Sequence, residues 1–498
     1  MLGKKELREV VTIGIDLTTE KDKNRLLENM VKKAMKISNC DAGTLYLYQN
    51  QTLVFKIMKT LSQGVSKGEN GEVIELPPVP LSEGNVCAFS AIYRELINIP
   101  DVYHSDRFDF SGPKRYDGIT GYRTTSMLVI PMEDAEGVLV GVLQLINKQD
   151  KNGCSIPFTE EDEFLIRSLG SMAAVSLSGM IYIEEIKQQL HSFVSAFATA
   201  VDERTPYNGS HTRKVTVYAG ILADYINQKH QQGMCEEYFD ENRREQLVLA
   251  AALHDIGKMI VPLGVMNKET RVAGNIYKIE DRFKLLKAYY ELDMYKGKIT
   301  EEQFLDRKNY LEEAFSFIQG VNTAGFLPDE KIARVKEIGS WNYEKEDGEI
   351  IPYLTEQEIK CLSIRKGTLT DEERQIMESH VVMTAKILEK VHFNVRYSNV
   401  ARFAASHHEL LNGSGYPHHL SGETLELETR ILAVVDVFDA LTCKDRPYKQ
   451  PIPRPKAFAI LRSMAEEGKM EERLITWLEE ALQDIDDAQI DRMVMEEN

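Results

Sequence analysis

Hydrophobic residues recur at helical spacing between positions 26 and 37 and then fall into short apolar runs bounded by turn residues. Those runs, at positions 42–48, 53–58, 126–131 and 137–146, have the length and composition of β-strands. The stretches at 77–80 and 103–122 are loops long enough to cover a pocket. The pattern predicts an α+β domain over residues 21–165. Residues 1–20 show no strong period and are expected to form an N-terminal segment leading into that domain.

Helical spacing returns after position 158 and continues past position 201. Apolar or small residues recur every three or four positions: Leu169, Met172, Ser176, Met180, Ile183, Ile186, Leu190, Phe193, Phe197 and Val201. A stripe of this length is typical of a coiled-coil seam. We expect a connecting helix over residues 166–200 that pairs in a parallel homodimer and transmits a signal between domains. The alternative is a single helix that lies on the sheet of its own domain.

Residues 201–498 show one helical pattern after another, with Gly and Pro in the connections, and this region is predicted to be an all-α domain. Positions 276–294 and 300–318 predict a helical hairpin that turns at Lys296-Gly297. Its second helix opens with a capping box formed by Thr300 and Gln303. Positions 341–353 predict a loop or a small hairpin. The chain is therefore predicted to be multidomain, with an α+β domain, a long helix and an all-α domain.

A polar pair, His254-Asp255, follows directly on the apolar helical run at positions 247–253. Neither group can be buried unpaired without a cost in free energy. Neighbours on a helix point about 100° apart, so the pair must converge with groups from other segments. The candidates are His211, His380, His407, His408 and Asp436. Mixed imidazole and carboxylate ligation suits Fe, Mn or Zn, and a carboxylate such as Asp255 can bridge two ions, which indicates phosphoester hydrolysis.

That ordered series resembles the HD-GYP family of cyclic dinucleotide phosphodiesterases. The resemblance rests on three motifs: His254-Asp255 with Lys258, His407-His408-Glu409, and Gly415-Tyr416-Pro417. It extends from about residue 201 to residue 467 and is interrupted once, by an insertion at about residues 267–366. The insertion contains no histidine, and it could form a lid, a dimer contact or a partner surface.

The resemblance implies a site for two divalent metal ions, Fe or Mn. One ion would be held by His211, His254, Asp255 and Asp436, and the other by Asp255, His380, His407 and His408. Asp255 and Lys258 would be the catalytic residues. Asp255 would bind both ions, which share the attacking hydroxide, and Lys258 would stabilise negative charge on the phosphoryl oxygens. Glu409 would orient a ligand histidine. Substrate contacts are implied for Tyr416, Arg446, Tyr448 and Lys449.

The activity implied by the resemblance is hydrolysis of cyclic di-GMP to linear pGpG, with GMP as the alternative end product. A different substrate, 3',3'-cyclic GMP-AMP, would use the same metals. The non-enzymatic alternative is a degenerate protein that binds cyclic dinucleotides and signals, and the complete set of ligands together with Lys258 argues against it. Tyr207 stands where some family members have a glutamate that holds a third metal, so two ions are expected.

A second resemblance concerns the α+β domain. The residues Asn147, Lys148, Phe158, Asp162 and Glu163 are similar in order and spacing to the Asn-Lys-Phe-Asp-Glu signature of GAF domains in cyclic-nucleotide phosphodiesterases. Thr159 and Asp162 form a capping box, and a Lys148–Asp162 ion pair could join the last strand to the following helix. We expect these residues to brace the fold. A GAF domain can hold a small ligand or none, so regulation of the hydrolase by an unidentified ligand is implied.

Charge and composition limit the partners. The net charge is −18, from 78 acidic and 60 basic residues, which argues against binding to nucleic acid polymers or anionic lipid surfaces. No apolar run is expected to reach the roughly 18–20 residues that span a bilayer. The six cysteines are scattered without a paired spacing, as for reduced thiols. With no signal-peptide pattern at the N-terminus, a cytoplasmic location is expected.

Overall fold

The protein is represented by a computed structural model that describes residues 4–204, 210–443 and 451–496. It divides into two compact units, residues 1–189 and 190–498. The first unit contains the helices α1 (Lys4–Thr19), α2 (Lys23–Ser38), α3 (Val86–Tyr93), α4 (Ser111–Thr120) and most of α5 (Glu160–Asp202). Its strands are β1 (Cys40–Gln49), β2 (Thr52–Thr60), β3 (Val65–Lys67), β4 (Val79–Pro80), β5 (Ile97–Ile99), β6 (Met127–Glu133), β7 (Leu139–Gln149) and β8 (Ser155–Ile156).

One antiparallel sheet organises this unit, with the strand order β3-β2-β1-β7-β6-β5; β4 pairs with β2 and β8 with β7. Side chains alternate between its two faces, as the pleat requires. Leu45 and Leu47 of β1 join an apolar core with α1, α2 and α5, whereas Tyr46 joins a second core with α3. The predicted α+β domain is confirmed, and its sheet is buried on both faces.

The N-terminal segment forms a helix that the sequence analysis did not predict. Ile13 and Leu17 of α1 are buried in the same core as α2. Because these two residues are four positions apart, they lie on one face of the helix. Residues 1–20 are therefore part of the folded unit over the range that the structure describes.

The long helix α5 runs without interruption over 43 residues. Leu169, Ala173 and Leu177 pack into the core of the first unit, and Val194, Ala198 and Val201 into a core of the second. Between and beside these contacts, apolar side chains are exposed: Val175, Tyr182, Ile183, Ile186, Phe193 and Phe197. The predicted seam is thus divided, because Leu169, Leu190 and Val201 contact their own units while Ile186 and Phe193 face outwards.

Among the described residues, α5 is also the helix whose length and composition would allow it to cross a membrane. Its most apolar stretch has a mean hydropathy of 1.5, and 39% of that stretch is buried within the protein. Partial burial of this kind is also a property of core helices in folded proteins. We expected that no stretch would be long and apolar enough to span a bilayer. By length and composition alone, α5 does not meet that expectation.

The second unit is helical, as predicted, apart from one hairpin. Its further helices are α6 (His211–Gln231), α7 (Glu241–Leu253), α8 (Leu263–Met266), α9 (Ile276–Tyr295), α10 (Glu301–Thr323), α11 (Asp329–Gly339), α12 (Glu356–Leu362), α13 (Asp371–Leu388), α14 (Val400–Ala404), α15 (Leu427–Thr442), α16 (Arg454–Glu466), α17 (Glu472–Ala481) and α18 (Asp487–Glu496). The strands β9 (Asn342–Glu344) and β10 (Ile350–Pro352) form the small hairpin. The predicted turn between α9 and α10 and the capping box at Thr300 are confirmed.

The insertion is a subdomain with an apolar core of its own, built from α9 to α12 and the hairpin. Arg271 at its base is fully buried and donates hydrogen bonds to the carbonyl groups of Val321, Ala324 and Ile364. The neighbouring Lys268 forms an ion pair of 2.7 Å with Glu373 in the first turn of α13. The base of the insertion is therefore fastened to the helix that carries His380.

Candidate metal centre

Five imidazoles and two carboxylates from separate helices meet inside the second unit. They are His211 at the start of α6, His254 and Asp255 after the end of α7, His380 on α13, His407 and His408 after α14, and Asp436 on α15. All are buried except His408, which is half-buried. The expectation that the His-Asp pair converges with groups from other segments is therefore met.

These groups form two trios with Asp255 between them. His211, His254 and Asp436 form one, and His380, His407 and His408 the other; within each, the candidate ligand atoms lie within 4.8 Å of one another. The Oδ2 atom of Asp255 lies 3.2 Å from Nε2 of His254 and 3.5 Å from Nε2 of His211. Its Oδ1 atom lies 3.4 Å from Nε2 of His380 and 3.9 Å from Nε2 of His407. One oxygen of this carboxylate thus faces each trio, which is the arrangement of a ligand shared by two ions.

Local hydrogen bonds fix the orientation of the imidazoles. Three of them donate Nδ1–H to the carbonyl group three residues earlier: His254 to Ala251 (2.6 Å), His380 to Met377 (2.6 Å) and His407 to Ala404 (2.7 Å). A carbonyl oxygen can only accept a hydrogen bond, so Nδ1 must carry the proton. In the neutral ring Nε2 then has a free lone pair, which points to the centre. In each case the accepting carbonyl group lies three residues earlier in the same segment, so the local backbone geometry determines which ring nitrogen carries the proton.

The centre contains buried polar atoms that lack a hydrogen-bond partner among the described residues. They are Nε2 of His254, His380 and His407, and Oδ1 of Asp255. Burial lowers the pKa of His380 to about 4, and burial with the nearby His408 holds the pKa of His407 well below its ordinary value. Neutral imidazoles and an ionised carboxylate are the forms that bind cations. At His254 burial is outweighed by the negative charge of Asp255, which raises the pKa of the imidazole. A bound cation would displace that proton, so the donor set fits divalent metal ions.

One functional residue escaped the sequence analysis. The Oδ2 atom of Asp439 lies 2.7 Å from Nδ1 of His211, and the Asp439 side chain is only 1% exposed. Asp439 stands three positions after Asp436 on α15, so both carboxylates occupy one face of the helix. That spacing was the signal available in the sequence. A carboxylate in this position orients the imidazole and raises its basicity as a ligand.

Close backbone packing holds the His-Asp turn against α13. A Cβ atom at Gly257 would lie 1.9 Å from the carbonyl oxygen of His380, so only glycine fits. The Thr384 hydroxyl donates to the carbonyl group of His254 at 2.9 Å and accepts from the amide of Gly257 at 3.0 Å. Gly257 and Thr384 thus fix the distance between the two trios, and the sequence analysis assigned neither of them a role.

Lys258 lies beside the shared carboxylate. The α-helix ends at Leu253, and Lys258 belongs to a short 3-10 helix, Ile256–Ile260. Its Nζ atom is 2.5 Å from Oδ2 of Asp255, and its side chain is 19% exposed. The ammonium group therefore stands at the edge of the centre, where it can balance negative charge on a bound phosphate.

Glu409 was predicted to orient a ligand histidine, and this role stays a prediction. Its carboxylate accepts hydrogen bonds from the backbone amides of His418 (2.7 Å) and Leu420 (2.9 Å), so it holds the loop after Pro417. The cause is the tight return of the chain at Gly415, where a Cβ atom would lie 2.5 Å from the carbonyl oxygen of His408. That return brings the following amides within reach of Glu409, which is 1% exposed.

The predicted substrate contacts are only partly described. The Tyr416 ring lies 4.9 Å from the His408 ring, at the edge of the second trio. Arg446, Tyr448 and Lys449 lie outside the described residues, as does Tyr207.

The five signature residues of the first unit make internal contacts. Asn147 accepts from the amide of Thr125 (2.7 Å) and donates to the carbonyl group of Arg123 (2.7 Å) and to the Tyr122 hydroxyl (3.0 Å); Lys148 pairs with Asp162; Phe158 is buried in the core; and Glu163 accepts from Asn98 (2.8 Å). The expected ion pair between the last strand and α5 is present. These contacts agree with a bracing role.

Replacing Asp439 tests its role beside His211. We expect Asp439→Ala to weaken metal binding by about 10- to 100-fold, because His211 loses the acceptor that orients it. Asp439→Asn keeps an acceptor oxygen and should have a smaller effect. Competition with a chromophoric chelator measures the affinity, and far-UV circular dichroism checks the fold. Equal affinity in Asp439→Ala and the wild type would contradict the assignment.

Comparisons with known proteins agree with both units. The family profile of the GAF domain matches residues 22–177, and two profiles of the HD domain match residues 208–313 and 357–474. A 3'3'-cGAMP-specific phosphodiesterase 3 from Vibrio cholerae is 38% identical over 97 residues, which are 20% of this chain and 20% of that protein. A cyclic di-GMP phosphodiesterase from Thermotoga maritima is 36% identical over 107 residues, 22% of this chain and 28% of that protein.

A third relative is the cyclic di-GMP phosphodiesterase response regulator RpfG of Xanthomonas campestris, 40% identical over 108 residues, 22% of this chain and 27% of that protein. The chain thus spans less than a third of the length of these relatives. Among solved structures, a GAF domain/HD domain protein from Geobacter sulfurreducens is 18% identical with a TM-score of 0.25, covering 33% of this chain and 98% of that one. The chain therefore contains a GAF domain and HD-domain segments, and over about a fifth of its length it is homologous to cyclic di-GMP and cGAMP phosphodiesterases.

Proposed function

We propose that this protein is a metal-dependent phosphodiesterase that hydrolyses cyclic di-GMP to linear pGpG, under the control of its GAF domain. The observation that carries the proposal is the position of Asp255, with one carboxylate oxygen facing each trio. Two of the relatives named above are cyclic di-GMP phosphodiesterases, and they support this substrate. A cytoplasmic location is part of the proposal, and in the described part of the chain none of the six cysteines forms a disulfide.

Two divalent cations, Fe or Mn, would supply the charge that activates water and offsets negative charge on the phosphate. His211, His254 and Asp436 would hold one, His380, His407 and His408 the other, and Asp255 both. Lys258 then places its ammonium group next to the reacting phosphate, in a site whose walls are buried and where a charge acts strongly. Tyr416 offers a ring at the rim on which a guanine base can stack.

A second substrate is favoured by one observation. The relative from Vibrio cholerae described above is a 3'3'-cGAMP-specific phosphodiesterase. Cyclic GMP-AMP has the same phosphodiester ring and differs only in one base, so the metal centre would act on it in the same way. A binding protein without activity is disfavoured, because each of the seven expected ligands and Lys258 is in place around one centre.

Incubation with defined substrates tests the function. Protein loaded with Fe or with Mn should open cyclic di-GMP to pGpG and convert it faster than 3',3'-cyclic GMP-AMP, with products separated by ion-pair chromatography. Accumulation of GMP would show that the linear product is cleaved further. Turnover of neither compound by the metal-loaded protein would refute the proposal.

Asp255→Asn is the matched control for that assay, since it keeps the shape of the side chain and removes its charge. We expect both metal content and turnover to be lost, because this carboxylate is assigned to both ions. Asp436→Asn should lower the content by only one ion per chain. Elemental analysis of the purified proteins decides between these results, and full metal content in Asp255→Asn would overturn the shared-ligand assignment.

Lys258→Ala should separate chemistry from metal binding. The ammonium group is assigned to charge stabilisation, so metal content should stay near the wild-type value while kcat falls by about 10²- to 10³-fold. Lys258→Arg keeps the charge and should recover part of the loss. If kcat of Lys258→Ala matches the wild type under saturating substrate, the residue has no part in the reaction.

We also propose that α5 forms a parallel homodimer through which the GAF domain acts on the hydrolase. The support is the exposed apolar stripe of Val175, Tyr182, Ile186 and Phe193, whose spacing of four or seven residues follows a heptad. Ile186 is 63% exposed and Phe193 is 66% exposed within one chain. Side chains of this kind gain free energy when a symmetry-related helix covers them.

The double variant Ile186→Glu with Phe193→Glu tests the dimer. It would bring like charges together across the two-fold axis, so we expect a monomer by size-exclusion chromatography with light scattering. The control variant Gln188→Glu with Ser192→Glu adds the same charge at exposed positions on the opposite face of α5 and should stay dimeric. A dimer in both variants would place the interface elsewhere.

A further inference from the structure

A cavity of about 360 Å³ lies inside the second unit, between the last turns of α5 and the helices α6 and α7. Its lining residues come from positions 191–198 of α5, 213–216 of α6 and 244–252 of α7. On each helix they are spaced three or four positions apart, so one face of each helix borders the space. The volume falls in the range of about 300–1,000 Å³ that is usual for small-molecule sites.

The walls of this cavity are aliphatic. They are formed by Val194 and Ala198 of α5 and by Val248, Leu249 and Ala252 of α7. Among the described lining residues there is no Phe, Tyr or Trp. A nucleotide base would therefore have no aromatic ring on which to stack, whereas a hydrocarbon chain would replace water along these walls.

Two guanidinium groups line the same cavity, and no Asp or Glu is found among its described lining residues. Arg244 is oriented by a bidentate ion pair with Asp224, at 2.7 Å and 2.8 Å. The Nε atom of Arg213 lies 4.0 Å from Oδ2 of Asp202. Because the Asp224 side chain is 52% exposed, water weakens its attraction for Arg244. A carboxylate in the less hydrated cavity would compete for this guanidinium group.

The cavity borders the segment that positions His211. Arg213 follows His211 by two positions in the first turn of α6, and Thr212 lies between them. Thr212 donates hydrogen bonds to Oδ1 of Asp202 from its hydroxyl (2.7 Å) and its amide (3.3 Å). Asp202 is the last residue of α5 and is fully buried. A molecule that changes the spacing of α5 and α6 would therefore act on His211 through this contact.

The face of α5 that borders the cavity differs from the face assigned to the dimer. At 100° per residue, the lining positions of α5 are centred about 150° around the helix from Ile186 and Phe193. A symmetry-related helix packed on Ile186 and Phe193 would therefore lie on the far side of α5 from the cavity. Dimer formation and occupation of the cavity are compatible.

We propose that this cavity binds an aliphatic carboxylate of medium chain length, and that its occupation controls the position of His211. The carboxylate contacts Arg244 and Arg213, and the chain lies along Val248 and Leu249. The bound molecule sets the distance between α5 and α6. This second ligand site is separate from the metal centre and does not depend on which cyclic dinucleotide that centre hydrolyses.

A series of octyl and hexyl compounds tests the ligand class by isothermal titration calorimetry on the full-length protein. Octanoate should bind at least about 10-fold more tightly than 1-octanol, because only the carboxylate forms charge-assisted hydrogen bonds with the arginines. From hexanoate to octanoate the affinity should rise about 3- to 4-fold per added methylene group. Equal binding of the alcohol, no dependence on chain length, or no binding of octanoate overturns the proposal.

Three variants and one control locate the site. Arg244→Gln should lower the affinity for octanoate at least about 10-fold, and Asp224→Asn, which removes the competing carboxylate, should raise it. Val248→Trp should abolish binding because the larger side chain fills the cavity. Arg365→Gln removes a charge that is 56% exposed in the insertion and should change nothing. Unchanged affinity in Arg244→Gln, or binding retained by Val248→Trp with a native circular dichroism spectrum, contradicts the assignment.

The metal centre is tested separately. Wild-type protein stripped of metal by a chelator should still bind octanoate, and loss of binding would place the carboxylate on the metal ions instead. Saturating octanoate should change the metal affinity, measured with a chromophoric chelator, by at least about 3-fold. Thr212→Val lacks the hydroxyl that donates to Asp202, so it should bind octanoate without this change. An equal metal affinity with and without octanoate in the wild type refutes the control of His211.

Discussion

The Asp255 carboxylate, buried among imidazoles, is the constraint on which the second unit is built. A charge at 2% exposure is stable only if cations or hydrogen-bond donors surround it, and the groups around Asp255 come from α6, α7, α13, α15 and the segment after α14. Its two oxygens face two different trios, so the distance between the trios is set by the size of one carboxylate. The helices must therefore be packed to a fraction of an ångström around this point.

Backbone packing supplies that precision. Gly257 allows the backbone of the His-Asp turn to contact α13 directly. The Thr384 hydroxyl links the two segments, because it donates a hydrogen bond to the carbonyl group of His254 and accepts one from the amide of Gly257. At the other end of the same helix, the Lys268–Glu373 pair connects α13 to the base of the insertion. A change in the insertion that moves Glu373 would act on His380 through a rigid helix.

The two faces of the sheet in the first unit differ in what covers them. One face packs against α1, α2 and α5 through a core of apolar residues. The other face carries tyrosine, threonine and glutamine among its apolar residues and leaves a space under α3 and α4. The signature residues hold the rim of that space, since Asn147 fixes the segment that carries Tyr122. The residues that brace the fold therefore also hold the edge of this space.

The sequence alone determined the elements and the chemical groups. Periodicity was sufficient for β1, β2, β6 and β7, for α5 and for the helical hairpin in the insertion, because each of these has a strong local pattern. The short strands β3, β4, β5 and β8 were not predicted, and α4 lies in a stretch that was predicted to be a loop. The seven candidate ligands were implied by the resemblance of the ordered His and Asp motifs to a known family, which can be recognised in the sequence alone. α1 was missed because its apolar residues do not follow one helical face: Ile13 and Leu17 are buried against the core with α2, whereas Val11 and Ile15 are exposed.

Tertiary structure decided what each group faces. Glu409 lies next to two histidines in the sequence, yet its carboxylate turns to a loop whose path no local pattern specifies. Asp439 gained its role only because α15 places it beside a histidine 228 positions away. The seam of α5 was divided in the same way, because the cores of two units cover parts of it and leave the rest exposed. Local sequence fixes which residues share a face of an element, whereas the partner of that face depends on segments far away in the chain.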